Sequence, residues 1–185
     1  MEQFVKGKSK LKKIGKQIRK NCIFRAKNIK NLKYFSFKYI NFTMINRINY
    51  TLKGLSDTQT LAAFIAKLIQ QSKKVNFLIF LKGDLGSGKT TFARFLLNNL
   101  GVSDKEFEGS PTFTIVNEYK NNIFHIDLYR IQSKYDMETS GVMEYFTKNG
   151  IIIVEWPEIL DFKADLCIKF TIKDKFSRIV NVYKR

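Results

Sequence analysis

Only two cysteines, Cys22 and Cys167, occur in the 185 residues. They share no C-x-x-C spacing and have no histidine nearby, so neither a zinc ligand set nor a disulfide framework follows. His125 is the single histidine and Trp156 the single tryptophan. No apolar run approaches the ~20 residues that span a bilayer. The N-terminus lacks the apolar central stretch of a secretory signal peptide. A soluble, cytoplasmic protein with no membrane partner is the expectation. Acids are nearly absent from the first fifty residues, which hold fourteen Lys or Arg against Glu2 alone, a net of +13. The whole chain carries +17, so residues 51–185 carry only +4. The basic excess belongs to the N-terminal segment, and the pI of about 9.9 does not describe the rest.

What is present divides at about residue 44. Residues 1–43 are rich in Lys, Asn, Ile and Phe, with no proline and little glycine, so their composition is not that of a flexible linker. From Met44 the patterning becomes that of a folded domain, and 44–185 is read as one unit. Ile45 to Leu52 reads as a strand. Ser56 or Asp57 is placed to cap a helix, and Leu61, Ala62, Phe64, Ile65, Leu68 and Ile69 recur at helical spacing. Phe77 to Leu81 is a continuous apolar run of the kind that forms a buried strand. Thr90 to Leu100 reads as a helix stopped by Gly101. Thr112 to Tyr119 and Ile123 to Tyr129 read as strands joined by an Asn121-Asn122 turn. Tyr135 to Thr147 reads as a helix with a weak point at Gly141. Ile151 to Glu155 reads as a buried strand that Pro157 prevents from continuing. Asp165 to Ile172 and Phe176 to Val182 read as a final hairpin about Lys173-Asp174-Lys175. There is no internal repeat. Strand, glycine-rich loop and helix, followed by further strands and helices, predict an α/β fold. It would be a three-layer P-loop NTPase-like domain, its central, partly mixed sheet flanked by helices, with a basic N-terminal extension.

The segment Gly83-Asp84-Leu85-Gly86-Ser87-Gly88-Lys89-Thr90 satisfies G-x-x-x-x-G-K-[ST] and is followed by Thr91. The glycines let several backbone N–H groups converge on one anion, and the helix that follows adds the positive end of its dipole. Lys89 is a mobile charge for the β- and γ-phosphates, and the Thr90 hydroxyl is a ligand for Mg²⁺. Chance would supply this pattern in roughly one chain of this length in a hundred. The apolar run before it and the helical pattern after it lower that figure. Asp84 to Thr91 are therefore the candidate ATP-binding residues. No Asn-Lys-x-Asp guanine reader occurs, which favours ATP over GTP.

A cradle alone hydrolyses nothing. Three downstream features supply candidates for the metal and the attacking water. Glu155 ends the run from Ile151 to Val154, where a Walker B acid is expected, although an acid at a strand end is often only a solvated cap. Asp127 lies in His125-Ile126-Asp127-Leu128-Tyr129-Arg130 as a metal or water-orienting residue, or as a partner of Arg130. Thr112 and Thr114 lie in Ser110-Pro111-Thr112-Phe113-Thr114, a γ-phosphate-sensing loop or an ordinary turn. Trp156 is read as core, or as a nucleotide or partner contact. His125 is read as a structural hydrogen-bonding residue.

Taken in order, the P-loop, the Ser-Pro-Thr-Phe-Thr segment, the His-x-Asp-Leu-Tyr-Arg segment and Val154-Glu155-Trp156-Pro157 resemble the TsaE (YjeE) family. These are the bacterial P-loop ATPases of tRNA threonylcarbamoyladenosine biosynthesis. The resemblance runs from about Tyr50 to the C-terminus. It implies slow ATP hydrolysis with Mg²⁺ and partners similar to TsaB and TsaD, with tRNA engaged through the complex. Hydrolysis would reset that complex between turnovers, apart from the transfer chemistry itself. The resemblance further implies that Asp127 and Glu155 are catalytic and metal-binding, alongside Thr90, and that Thr112 belongs to a switch-like loop.

The alternative is a small-molecule P-loop kinase, which calls for an Arg-rich lid. Only Arg94 and Arg130 lie near the motifs. Three readings stand for residues 1–43. Translation from upstream of a true start at Met44 is favoured. A basic tail that contacts RNA is the second, and a targeting segment, for which Arg and Ser are sparse, is the third.

Overall fold

A computed structural model describes residues 47–184. The expectations for residues 1–43 lie outside those residues, as do Ile45 and Asn46 of the first predicted strand. Seven strands form one sheet. They are β1 (Arg47–Leu52), β2 (Asn76–Lys82), β3 (Val116–Tyr119), β4 (Ile123–Asp127), β5 (Gly150–Glu155), β6 (Leu166–Ile172) and β7 (Arg178–Tyr183). Their spatial order is β1-β7-β6-β2-β5-β4-β3. β6, β2, β5 and β4 run parallel, while β1, β7 and β3 are antiparallel to their neighbours. The predicted mixed α/β sheet is the observed one.

Period-two alternation assigns the strand side chains to faces. Phe77, Ile79, Leu81, Ile123, Ile153 and Leu166 share a core with helices α1 (Leu55–Ser72) and α2 (Lys89–Asn99). Phe80, Phe124, Ile126, Ile152, Val154 and Cys167 turn the other way. They are covered by Leu128, Ile131, Met137 on the short helix α3 (Lys134–Thr139), Val142 and Ala164. Because Ile123 and Ile153 face α2, His125, Asp127 and Glu155 face it too. The same alternation that builds the core thus delivers two carboxylates and an imidazole to the helix that follows the P-loop.

Five predicted elements differ from the structure; one is β4, which ends at Asp127, two residues short of the predicted Tyr129. α1 begins at Leu55 with Gly54 at its N-cap, and neither Ser56 nor Asp57 caps it. Asp57 instead reaches back from the first turn and accepts the Lys53 N–H at 2.8 Å. The strand predicted from Thr112 begins only at Val116, because Ile115 takes a left-handed φ of 66° and donates its N–H to the Pro111 carbonyl. The helix predicted over Tyr135–Thr147 is broken at Gly141 (φ 69°) into α3 and a 3-10 turn, Val142–Thr147. α3 has its own start signal, a capping box between Ser133 and Asp136. In the final hairpin Asp165 lies outside β6 and accepts the Leu78 N–H at 2.9 Å. β7 begins at Arg178, so the turn extends through Ser177. The Asn121-Asn122 turn is as expected, with both residues at positive φ.

Candidate active site

The site lies at the carboxyl ends of the parallel strands. β2 ends at Lys82, and the chain then bends through Gly83 to Gly88 into α2. Gly83 (φ 139°) passes so near β6 that a Cβ there would press into the Phe170 carbonyl oxygen, so only glycine fits. Lys89 is the first residue of α2 and is buried. Its ammonium donates to the Gly83 carbonyl at 2.7 Å and the Asp84 carbonyl at 3.0 Å, and lies 3.8 Å from the centroid of the Trp156 ring. Burial lowers the Lys89 pKa from its ordinary value, while the carboxylates of Glu155 and Asp127 pull it back up.

β5 places Glu155 beside α2. Its Oε2 accepts the Thr90 hydroxyl at 2.9 Å, and its Oε1 accepts His125 Nε2–H at 2.9 Å. Phe107 stacks against the His125 ring at 6.3 Å between centroids. His125 is therefore a fully buried hydrogen-bonding residue, as its sequence suggested, and the group it holds is Glu155. Asp127 lies directly across the ladder from Glu155. Its Oδ2 accepts the hydroxyls of Ser110 (2.5 Å) and Thr112 (2.8 Å), and its Oδ1 accepts the Tyr129 N–H at 2.9 Å. Arg130 does not pair with Asp127; its guanidinium lies 4.5 Å over the exposed Phe113 ring.

Thr112 thus belongs to the site, in a loop tied to Asp127. Thr114 does not: its hydroxyl donates to Asn117 at 3.1 Å. Trp156 adopts a left-handed conformation (φ 56°), which ends β5 and turns the indole toward Lys89 and Tyr129. Leu85, Gly86, Gly88, Lys89, Thr90 and Thr91 line one wall of a cleft of about 310 Å³, and the Asp127 and Glu155 side lines the other. The Asp84 side is exposed, and the buried Ser87 hydroxyl has no protein partner. Ser110 and Tyr129 also line the cleft and were missed as site residues. Their signal was their position flanking Thr112 and Asp127.

The donor set fits a magnesium nucleotide. A hydroxyl and two carboxylates are hard oxygen ligands, and a buried ammonium with helix amides suits phosphate. Among the described residues no three His, Cys, Asp or Glu side chains are grouped for a metal. Mg²⁺ needs no such group, since one or two carboxylates, phosphates and water complete its shell.

The sheet, the glycine-rich bend after β2 and the Lys-Thr pair opening α2 define a P-loop protein, of the class that cradles nucleotide phosphates. The chain belongs to the TsaE family: the family model "Threonylcarbamoyl adenosine biosynthesis protein TsaE" matches residues 52–180. It is 39% identical over 137 residues to the tRNA threonylcarbamoyladenosine biosynthesis protein TsaE of Aquifex aeolicus, covering 72% of this chain and 94% of that protein. The protein of the same name from Bacillus subtilis is 38% identical over 100 residues, covering 52% of this chain and 61% of that one. The crystal structure of Bacillus subtilis YdiB superposes with a TM-score of 0.58 at 26% identity, covering 76% of this chain and 86% of that chain. Among the described residues no helix is long and apolar enough to cross a membrane.

Proposed function

We propose that this protein is the ATP-binding and ATP-hydrolysing subunit of tRNA threonylcarbamoyladenosine biosynthesis, acting with TsaB- and TsaD-like partners. Family membership and the printed names of its relatives support the pathway. One observation carries the chemistry: Thr90, Glu155 and Asp127 stand together at the mouth of the P-loop, joined through the 2.9 Å Thr90–Glu155 bond and the Asp127–Glu155 ladder pair.

On this reading Lys89 leaves the Gly83 and Asp84 carbonyls to meet the β- and γ-phosphates. The Thr90 hydroxyl, released from Glu155, would be a ligand for Mg²⁺, and Glu155, steadied by His125, would hold that ion's water shell. A magnesium ion held there would supply neutralisation of phosphate charge. Asp127 orients the attacking water and, through the Ser110 and Thr112 hydroxyls, links the γ-phosphate position to the switch-like loop. Such a loop is a natural route by which partner subunits set the rate.

ATP turnover of the purified chain, measured alone and with TsaB- and TsaD-like proteins, tests the reading. A slow basal rate that changes on addition of the partners is expected. An identical rate in both conditions would count against the proposed role.

A further inference from the structure

The edge of the sheet opposite the P-loop carries charge of one sign. There β2, β4, β5 and β6 begin, β3 and β7 end, and β1 starts across from Tyr183. The connections that meet this edge are residues 73–75, 120–122, 147–149, 163–165 and 184. Taken in strand order with the first residue of β1, they supply Arg47 (β1), Lys184 (β7), Lys163 (β6), Lys73 and Lys74 (β2), Lys148 (β5) and Lys120 (the β3–β4 turn). Among the described residues of these connections Asp165 is the one acid. Neighbouring strands lie about 4.8 Å apart, so the row spans roughly 25–30 Å. The carboxyl edge is mixed instead, with Asp84, Asp127, Glu155 and Glu158 in its strand ends and loops.

Three carboxylates pair with this row. Asp165 pairs with Lys74, Glu106 with Lys120 at 3.0 Å and Glu118 with Lys148 at 3.6 Å. Seven cations against these three acids leave a net of +4. The pairs lie at the surface, where an ion pair is worth little, so their ammoniums can trade a carboxylate for a phosphate. Burial, and then the charge of Lys74, lower the Lys184 pKa, so two ammoniums are held near each other here. Lys73 keeps a left-handed φ of 52°, a conformation that glycine adopts more easily.

The chain enters the sheet at the same edge. The first fifty residues hold fourteen Lys or Arg against Glu2, and the last of the fourteen is Arg47. Their attachment at Arg47 adds that charge to the row. Within them, Lys33-Tyr34-Phe35-Ser36-Phe37-Lys38-Tyr39 sets two cations among four aromatic rings. Cations beside aromatics suit phosphates beside unpaired bases. A membrane surface calls for a broad apolar face, and Val75 is the one large apolar side chain exposed on the described connections of this edge.

We infer that the amino edge of the sheet is an RNA-binding surface, on which the row from Arg47 to Lys120 grips the phosphate backbone. The nucleotide site stays free at the opposite edge. The inference takes its ligand from the pathway reading above, on which the RNA is a tRNA. Affinity on such a surface comes from counterion release and falls steeply with salt.

Fluorescence anisotropy of a labelled tRNA transcript, titrated with the full chain at several salt concentrations, tests this. Combining Lys73→Gln with Lys163→Gln is expected to weaken binding about tenfold and to make the salt slope shallower by about two. Combining Lys73→Arg with Lys163→Arg should keep both. Magnesium ATP affinity and melting temperature should match wild type in either variant. Wild-type tRNA affinity and slope in the Gln variant would overturn the surface. So would vesicles of phosphatidylglycerol bound more tightly than tRNA at equal phosphate concentration, which would make the edge a membrane surface. If the wild-type chain bound no tRNA while partner proteins still changed its ATPase rate, the surface would fall and the pathway reading would stand. If tRNA bound with the expected losses while partners left the rate unchanged, the pathway reading would fall and the surface would stand.

Discussion

Replacing Gly83 by alanine perturbs the site at its tightest point. Two penalties combine. The backbone at φ 139° lies in a region that side chains rarely enter, which costs on the order of 1–3 kcal/mol. The new methyl group would also press into the Phe170 carbonyl oxygen and come within 2.9 Å of Ser87 Oγ. Neither the β6 backbone nor a buried hydroxyl is a flexible chain end, so this overpacking adds roughly 1–3 kcal/mol. A total of about 4 kcal/mol corresponds to a melting point lowered by about 10 °C for a domain of this size. Gly86→Ala is the control. Its φ is 70°, and a Cβ there meets nothing within 4 Å, so only the left-handed penalty of about 1–2 kcal/mol applies. Thermal melts followed by circular dichroism compare the two. Gly83→Ala should melt several degrees below Gly86→Ala and bind ATP more weakly than wild type, because its backbone must move away from β6. If Gly83→Ala melted at or above Gly86→Ala, the close packing of P-loop and β6 would be wrong.

Three further outcomes are expected. Lys89→Ala should weaken ATP binding by about a hundredfold, read by calorimetry, with little change in melting temperature. Glu155→Gln and Asp127→Asn should lower the ATPase rate about a hundredfold or more while changing nucleotide affinity much less. Wild-type turnover in both variants would refute the assignment of the metal site. Glu106 accepts the N–H and hydroxyl of Ser103 and pairs with Lys120, and these contacts pull its pKa from 4.5 down to about 2. Folding thus favours the ionised form, and the stabilisation is complete above pH 4.5 and lost as pH falls through about 2. The gap in urea midpoint between wild type and Glu106→Gln should be widest near neutrality and narrow steadily below pH 4.5.

The parts of this site that sequence reveals are those whose chemistry is written locally. The P-loop is eight consecutive residues with a required composition, and Glu155 closes an apolar run that can only be a buried strand. The strand predicted from Thr112 begins too early, ahead of the observed start at Val116, because Thr, Phe and Ile favour extended structure. In the fold the Ser110 and Thr112 hydroxyls are drawn to Asp127, and Ile115 turns left-handed. The Asp127 carboxylate, fifteen to seventeen residues away, overrides the local preference. The Glu155–His125 bond spans 30 residues and the Arg178–Gly86 contact 92. No spacing rule reaches that far. These contacts depend on the strand order, which brings β4 beside β5 and β6 beside β2.

The same strand order explains why one short segment can serve as both structure and chemistry. Three side chains proposed to meet the nucleotide, its metal or the attacking water already have protein partners: Lys89 has two carbonyls and an indole, Thr90 has Glu155, and Asp127 has two hydroxyls and an amide. Loading the site is therefore an exchange of hydrogen bonds, and the net gain is the difference between old and new partners. The exchange is also directional. On the proposed reading, freeing Thr90 alters what Glu155 holds, and engaging Asp127 with the attacking water alters what Ser110 and Thr112 hold. Because those two hydroxyls belong to an exposed-edge loop and Glu155 belongs to the core, the change propagates outward to the loop while the sheet stays fixed. A partner that grips the Ser110–Thr114 segment would then gain differential affinity for one state of the nucleotide, which is what coupling between hydrolysis and assembly requires.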